Sequence, residues 1–171
     1  MINLSTKSGL KLKNPPSFFD SFLFYTALKS DKNSFLMYSG VPYSKKNVSY
    51  FKNYFKSFQC VFSIYKNRRF AGYVALSPRN SEYKEFTIEF YVLHQYRRQG
   101  IAYNSVGAVI QFAMNFFTDI EEIHAVLIKE NVAVHKLLNK LGFEQSGEQV
   151  NLLMVDGTLY NPVCTKFKLE L

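Results

Sequence analysis

Polar and apolar residues alternate strictly over positions 85–92. The odd positions carry Glu, Thr, Glu and Tyr, whereas the even positions carry Phe, Ile, Phe and Val. Because successive side chains of a strand point to opposite faces of a sheet, this pattern predicts a strand over 85–93 with one buried face. After a short polar stretch, apolar residues recur from Val106 to Phe117 at the i, i+3, i+4, i+7 spacing that predicts a helix.

The remaining segments predict the order of elements around this strand and helix. We expect helices over 16–29 and 132–141, and a further helix that follows an N-cap at Ser44 and buries a stripe of aromatic residues ending at Phe58. Strands are expected over 60–65, 70–76 and 123–128. Residues 143–171 are expected to form two more strands, joined by a turn at Asp156-Gly157. The central strand–helix–strand sequence implies a parallel pair with a right-handed crossover. The expected fold is one α/β domain over 1–171. Its sheet is mixed and mostly antiparallel, with about six to seven strands, helices on both faces and a central parallel β-α-β unit.

Composition narrows the functional classes. The 171 residues are 47% hydrophobic and 20% charged, as expected for a globular domain. No apolar run approaches the roughly 20 residues that span a bilayer, and the N-terminus lacks the apolar stretch of a signal peptide. We therefore expect a cytoplasmic protein without a membrane partner. Two cysteines, and three histidines without ligand-like spacing, give no expectation of a disulfide framework or a metal site.

Positive charge is concentrated in the first part of the chain. Residues 1–70 hold 12 Lys and Arg against 2 Asp and Glu, whereas residues 71–171 hold 9 against 11. One interpretation is a general solubility feature. The other is that the N-terminal elements face an acidic partner, such as a protein associated with the ribosome or with nucleic acid.

A basic, glycine-centred loop lies between the 85–93 strand and the following helix, with the sequence Arg97-Arg98-Gln99-Gly100-Ile101-Ala102. The first amides of a helix have no intrahelical partner and lie at the positive end of the helix dipole. Glycine lets the backbone approach an anion without a Cβ in the way. The loop therefore predicts a site for a pyrophosphate.

Two further motifs follow at defined separations: Glu130-Asn131-Val132-Ala133-Val134 after the next strand, and Leu137-Leu138-Asn139-Lys140-Leu141-Gly142-Phe143 at the end of the next helix. With the loop, they resemble the GNAT-type N-acetyltransferase superfamily, and more closely its RimJ/RimL-like branch, which includes polyamine acetyltransferases. The resemblance covers about Phe58 to Leu171 and is densest from Glu85 to Phe143. It implies acetyl-CoA as cofactor, with coenzyme A as product.

The resemblance also implies a set of cofactor-binding residues. The backbone of Phe90, Tyr91 and Val92 would pair with the pantetheine arm, and an amide near Tyr91 or Val92 would stabilise the developing oxyanion. The amides expected to hold the pyrophosphate are those of Arg97, Arg98, Gln99, Gly100, Ile101, Ala102 and Tyr103. Asn131 would contact the cofactor, cap the next helix, or do both.

The chain departs from the family at two catalytic positions. Many relatives have a proton-donating tyrosine on the helix before Leu-Gly-Phe, where this chain has Leu138, and a glutamate on the preceding strand, where this chain has Thr87. We expect Glu89, two residues along the same face, to act as the general base, with a solvent-facing role as the alternative. Tyr91 and Tyr160 are candidate proton donors, each with a structural alternative.

Two functions therefore stay open at this point. One is an N-acetyltransferase that modifies a protein N-terminus or a small-molecule amine by direct attack in a ternary complex. The other is a catalytically weak or inactive acyl-CoA-binding or protein-interaction module, which the departures at Leu138 and Thr87 favour. The sequence also leaves open whether the chain forms a homodimer.

Overall fold

The computed structural model describes residues 2–30, 53, 55–151, 153–155 and 158–171. Within these ranges, three α-helices and ten strands are described from end to end. The helices are α1 (Phe18–Ser30), α2 (Ile101–Phe116) and α3 (Val132–Lys140). The strands are β1 (Ile2–Ser5), β2 (Lys11–Asn14), β3 (Cys60–Lys66), β4 (Arg69–Pro78), β5 (Glu85–Val92), β6 (Glu122–Ile128), β7 (Glu144–Val150), β8 (Leu153–Val155), β9 (Thr158–Tyr160) and β10 (Val163–Glu170).

Eight strands form one sheet in the order β1-β2-β3-β4-β5-β6-β10-β7, and β8 and β9 form a separate antiparallel pair. Every neighbouring pair of the large sheet is antiparallel except β5 and β6. This confirms the mixed, mostly antiparallel sheet and its central parallel β-α-β unit. The sheet exceeds the expected six to seven strands because β1 and β2 pair with each other and extend the β3 edge. Each strand has only four residues, too few for an alternating pattern to predict a strand from the sequence.

The sheet separates two hydrophobic cores. On one face, mostly aliphatic side chains of the strands pack against α2 and Leu138 of α3. On the other face, α1 buries Phe24 and Leu28 in a mainly aromatic cluster. Ring centroids of Tyr73 and Tyr91 lie 5.0 and 5.2 Å from that of Phe24. The expected placement of helices on both faces is thus confirmed.

Two sequence-based expectations fall partly outside the described residues. The helix expected after Ser44 is described only near its end, where residues 53, 55 and 56 are helical and Phe55 is buried. The expected turn at Asp156-Gly157 is not described, but β8 and β9 pair on either side of it. The tail holds four strands instead of two, since β7 and β10 pair separately from this hairpin.

Candidate active site

Strands β5 and β6 are paired at only one end. Their parallel register covers Glu85 with Glu122, Phe86 with Ile123, and Thr87 with His124, and it ends there. Beyond that point β5 continues to Val92 while paired only with β4 on its other side. The two strands therefore diverge into a cleft whose one wall is the second half of β5.

The backbone polar groups of β5 alternate between β4 and this cleft. The Arg79 amide donates to the Glu85 carbonyl at 2.8 Å, and the Leu93 amide donates to the Ala71 carbonyl at 2.9 Å. Because hydrogen-bonding alternates along an antiparallel pair, the odd-numbered residues of β5 bond to β4. The amides and carbonyls of Phe90 and Val92 consequently face the cleft, whereas those of Tyr91 face β4.

The approach of β4 to β5 depends on Gly72. A Cβ added there would lie 2.0 Å from the Tyr91 carbonyl oxygen, and φ is +151°. Only glycine fits between these strands. The last residues of β5 are thus packed closely against β4 on one side, and on the side towards β6 they are open.

The basic loop begins with a 3₁₀ turn at His94–Tyr96 and leads into α2. Its backbone hydrogen bonds include one from the Arg97 amide to the His94 carbonyl, and they resume where the Asn104 amide donates to the Gly100 carbonyl. Within the described residues, the amides of positions 98–103 donate to no acceptor. Gly100 precedes α2 with φ +71°, in the left-handed region that favours glycine. The amides of residues 98–103 are therefore open to a ligand, whereas the Arg97 amide, which was also expected to hold the pyrophosphate, is already bonded to His94.

The loop's side chains are used in different ways. Arg97 Nε donates to the Val92 carbonyl at 2.9 Å, and its guanidinium carbon lies 5.4 Å from the Tyr91 ring centroid. Gln99 accepts from Lys66 Nζ at 2.5 Å and donates to the Gln95 carbonyl at 3.0 Å. Arg98 is exposed, with φ +57°. Arg97 and Gln99 thus hold the loop in place, whereas Arg98 is presented to solvent.

The other two family positions lie on α3. Asn131 is at its N-cap, but its side chain makes no capping hydrogen bond to the helix. Its carbonyl accepts from the amides of Val134 and His135. Leu138 is fully buried in the aliphatic core, so this position offers no proton donor.

The two expected catalytic side chains lie on the α1 face of β5, in different surroundings. Glu89 is half-buried and opposite Ala75 of β4. Tyr91 is 5% exposed and belongs to the aromatic core. Tyr160 is in the separate β8–β9 pair, outside the large sheet. Glu89 therefore lies on the open half of β5, and the Tyr91 ring packs within the aromatic core.

Sequence reasoning missed a titratable cluster where β5 and β6 meet. His124 Nε2 lies 2.9 Å from Glu122 Oε2 and 3.5 Å from Glu85 Oε2. Burial, reinforced by the charge of Arg79, lowers the pKa of His124 below its usual value despite the two carboxylates. The parallel pairing of Glu85 with Glu122 brings these groups together. Only the register between β5 and β6, which sequence spacing does not give, could have revealed them.

Comparisons with known proteins agree with this fold. The sequence profile of the acetyltransferase (GNAT) domain matches residues 16–144. No curated protein sequence gives a significant match. Within the described residues, no helix combines the length and apolar character needed to cross a bilayer.

Solved structures with the same fold cover almost the whole chain at low identity. RimL, a ribosomal L7/L12 alpha-N-protein acetyltransferase in complex with coenzyme A, gives a TM-score of 0.82 at 12% identity, over 99% of this chain and 98% of that one. Mycobacterium smegmatis RimJ in complex with CoA-disulfide gives a TM-score of 0.77 at 15% identity, over 99% of this chain and 86% of that one. The microcin C7 self-immunity acetyltransferase MccE in complex with acetyl-CoA and AMP gives a TM-score of 0.76 at 16% identity, over 95% of this chain and 92% of that one. The chain belongs to the GNAT acetyltransferase family.

Proposed function

We propose that the protein is an acetyl-CoA-dependent N-acetyltransferase that transfers the acetyl group to a primary amine by direct attack in a ternary complex. The observation that carries the proposal is the divergence of β5 from β6 after Thr87, beside a loop whose amides at 98–103 have no acceptor among the described residues. These features supply an open strand edge for an amide-rich arm and a cradle for a diphosphate. The coenzyme A or acetyl-CoA bound in RimL, RimJ and MccE supports the same donor here.

The residues at the cleft fit this donor. A Cβ built on Gly100 would meet only the side-chain Nδ2 of Asn104, at 3.3 Å, so the space above the loop is open. The Phe90 and Val92 amides face the cleft at the level where the arm would lie. Because Arg97 already occupies the Val92 carbonyl, the backbone amides and Arg98 are left to hold the diphosphate.

The amine forms a C–N bond to the acetyl carbon, and the C–S bond to coenzyme A breaks. The reaction therefore needs a group that removes a proton from the amine, a donor to the developing negative charge on the thioester oxygen, and a proton for the departing thiolate, which water supplies because Leu138 offers none. Glu89 is the carboxylate carried by the open half of β5 itself, and we assign it the role of base. The Val92 amide faces the cleft and is assigned to the oxyanion. The Tyr91 amide is excluded from this role because it faces β4.

A second candidate function is that of an acyl-CoA-binding module with little or no turnover. The observation that favours it is the buried Leu138 at the position where many relatives have a tyrosine. In that case the cleft and the loop would serve binding alone.

Steady-state kinetics with acetyl-CoA and a panel of amines and peptides separate the two functions, with the release of free thiol as the measured signal. Acetylated product with intersecting double-reciprocal lines is the expected result. Coenzyme A binding without transfer to any acceptor, including the proteins of a cell extract, would support the binding module instead. Ping-pong kinetics would overturn direct attack.

A further inference from the structure

A second concavity lies on the α1 side of the sheet, outside the β5–β6 cleft. Its volume is about 650 Å³, within the usual range for sites that bind small molecules. Three elements enclose it: α1, the tip of the β3–β4 hairpin, and the end of β5 with the 3₁₀ turn. The lining residues are Phe19, Leu23, Thr26, Ala27, Ser30, Tyr65, Arg68, Arg69, Phe70, Tyr91, Leu93, His94, Gln95 and Tyr96.

The permanently charged side chains that line this cavity, in the part of the chain that the structure describes, are both arginines. Arg68 and Arg69 line it, and no Asp or Glu does so among the described residues. Both arginines are exposed, and neither forms a salt bridge within the described part of the chain. Two guanidinium groups without an acidic partner, beside aromatic walls, match a ligand that combines an apolar body with a phosphate or carboxylate.

The backbone at the hairpin tip gives an independent indication. Asn67 and Arg68 form a two-residue turn between paired Lys66 and Arg69, with φ of +49° and +63°. Such turns strongly favour Asn-Gly, because both central residues have left-handed backbone. An arginine therefore occupies the position where glycine would fit best. Residues held in sparsely populated conformations concentrate at functional sites.

The wall opposite the arginines is held rigidly. Asp20 of α1 is 2% exposed, and its carboxylate accepts hydrogen bonds from the Ser17 amide, Ser63 Oγ and the Tyr65 hydroxyl. Burial and the bond to Asp20 raise the pKa of the Tyr65 phenol. Because Tyr65 also lines the cavity, this network fixes α1 against β3 and preserves the shape of the site.

The cavity is joined to the proposed cofactor site through two elements. Tyr91 and Leu93 line the cavity and lie at the end of β5. The edge of this part of β5 that faces away from β4 forms the cleft. Lys66 at the hairpin tip donates to Gln99 of the basic loop. A ligand in the cavity would therefore border the strand along which the acetyl donor would lie.

From these observations we infer that the cavity binds the acceptor, and that the acceptor is a small primary amine whose aromatic or apolar body also carries a phosphate or carboxylate held by Arg68 and Arg69. This inference rests on the proposed function and names its substrate class.

The test compares matched acceptors of which one member carries an anionic group, a phosphate with a charge of about −2 or a carboxylate with a charge of −1. The probes are O-phosphotyramine against tyramine, and 4-(2-aminoethyl)benzoate against its methyl ester. We expect kcat/KM to be at least about tenfold higher for each anionic member, since hydrogen bonds to charged groups are the stronger ones. The phosphate and carboxylate pairs show which anion the arginines prefer.

Two variants then test whether the preference for anionic acceptors comes from the tip of the β3–β4 hairpin. Arg68→Gly removes the cation and gives the turn its favoured Asn-Gly sequence, so the variant should fold as well as the parent. It should lower kcat/KM about tenfold for the anionic probes and leave the neutral ones unchanged. Lys136→Gln removes one exposed charge from α3, which packs on the opposite face of the sheet, and should change neither.

Equal kcat/KM for charged and neutral probes would overturn the inference, as would an equal loss for both in Arg68→Gly. Acetylation of acidic peptides with no binding of the small probes would also overturn it. If the parent shows no transfer at all, the proposed function fails. Calorimetric titration of O-phosphotyramine into parent and Arg68→Gly still decides the anion site: weaker binding in the variant supports it, and equal or absent binding rejects it.

Discussion

The two ends of the β5–β6 pair differ in both hydrogen bonding and charge. At one end, backbone pairing is complete through Thr87, and Glu122 of β6 contacts His124 and Lys168 Nζ at 2.9 and 3.1 Å. At the other end the strands are apart, and the charged groups beside them include Glu89 as well as the arginines of the loop. The comparison shows how one strand serves stability and binding at once. Its closed end fixes the register, and its open end leaves amides for a ligand.

The largest effect that separates the two ends is expected at Glu89. We expect Glu89→Gln to lower kcat by about 10²–10⁴ with unchanged affinity for acetyl-CoA, because a general base acts on the acceptor and not on the donor. Glu85→Gln is the matched control, since it lies on the same face of the same strand at the closed end. Its kcat should equal that of the parent. Equal losses in both variants, measured by thiol release at saturating substrates, would contradict the assignment.

The next effect concerns the left-handed glycine of the loop. Gly100→Leu should weaken coenzyme A binding by at least about tenfold, because the side chain fills the space from which the diphosphate approaches. Gly9→Leu is the control: Gly9 has φ +78° with no atom within 4 Å of an added Cβ, and it lies in the turn before β2. Both variants should lose about 1–2 kcal/mol of stability from backbone strain. A similar affinity in the two, measured by calorimetry, would count against the cradle.

A smaller difference should separate the two loop arginines. Arg98→Ala should weaken coenzyme A binding a few-fold without changing the melting temperature, because the exposed side chain contributes only a screened charge. Arg97→Ala should lower the free energy of unfolding by about 1 kcal/mol, since it removes the hydrogen bond to the Val92 carbonyl. Thermal melts and titrations on both variants check this. The reverse pattern would show that Arg97, and not Arg98, faces the ligand.

The smallest effect is expected at the closed end, where the protonation of His124 makes the stability of the protein depend on pH. Because the pKa of His124 is lowered in the folded state from 6.5, its contribution to stability is present above about pH 6.5 and is lost as pH falls through the folded-state value. His124→Gln should remove this part of the pH dependence. Denaturant melts between pH 5 and 8 measure the difference. If the free energy of unfolding changed with pH equally in the variant and the parent, the pKa of His124 would be the same in the folded and unfolded chains, which would contradict the prediction.

The sequence was most informative where one periodic pattern determines both structure and site. The alternation over 85–92 and the apolar spacing in α2 predicted a strand, a loop and a helix in the right places, and the loop glycine has the expected left-handed backbone. Residues 2–14 show the opposite case. β1 and β2 are four residues each and form by pairing along the β3 edge, so their stability comes from partners that local pattern does not identify.

Side-chain roles could be predicted less well than backbone position. The resemblance to the family treated Phe90, Tyr91 and Val92 alike, but hydrogen-bond alternation turns only Phe90 and Val92 towards the cleft. The cavity beside α1 was also beyond prediction. It depends on how α1 is attached to β3 through Asp20, and on where the β3–β4 turn presents Arg68, both of which are tertiary relations.

The central claim is that coenzyme A binds along the open half of β5 and on the amides that begin α2. Amide hydrogen exchange, resolved residue by residue with and without coenzyme A, tests it most directly. We expect increased protection at Phe90, Val92 and residues 98–103, and unchanged protection at the closed end over 85–87. Uniform protection along β5, or no change at 98–103 under saturating ligand, would contradict the account.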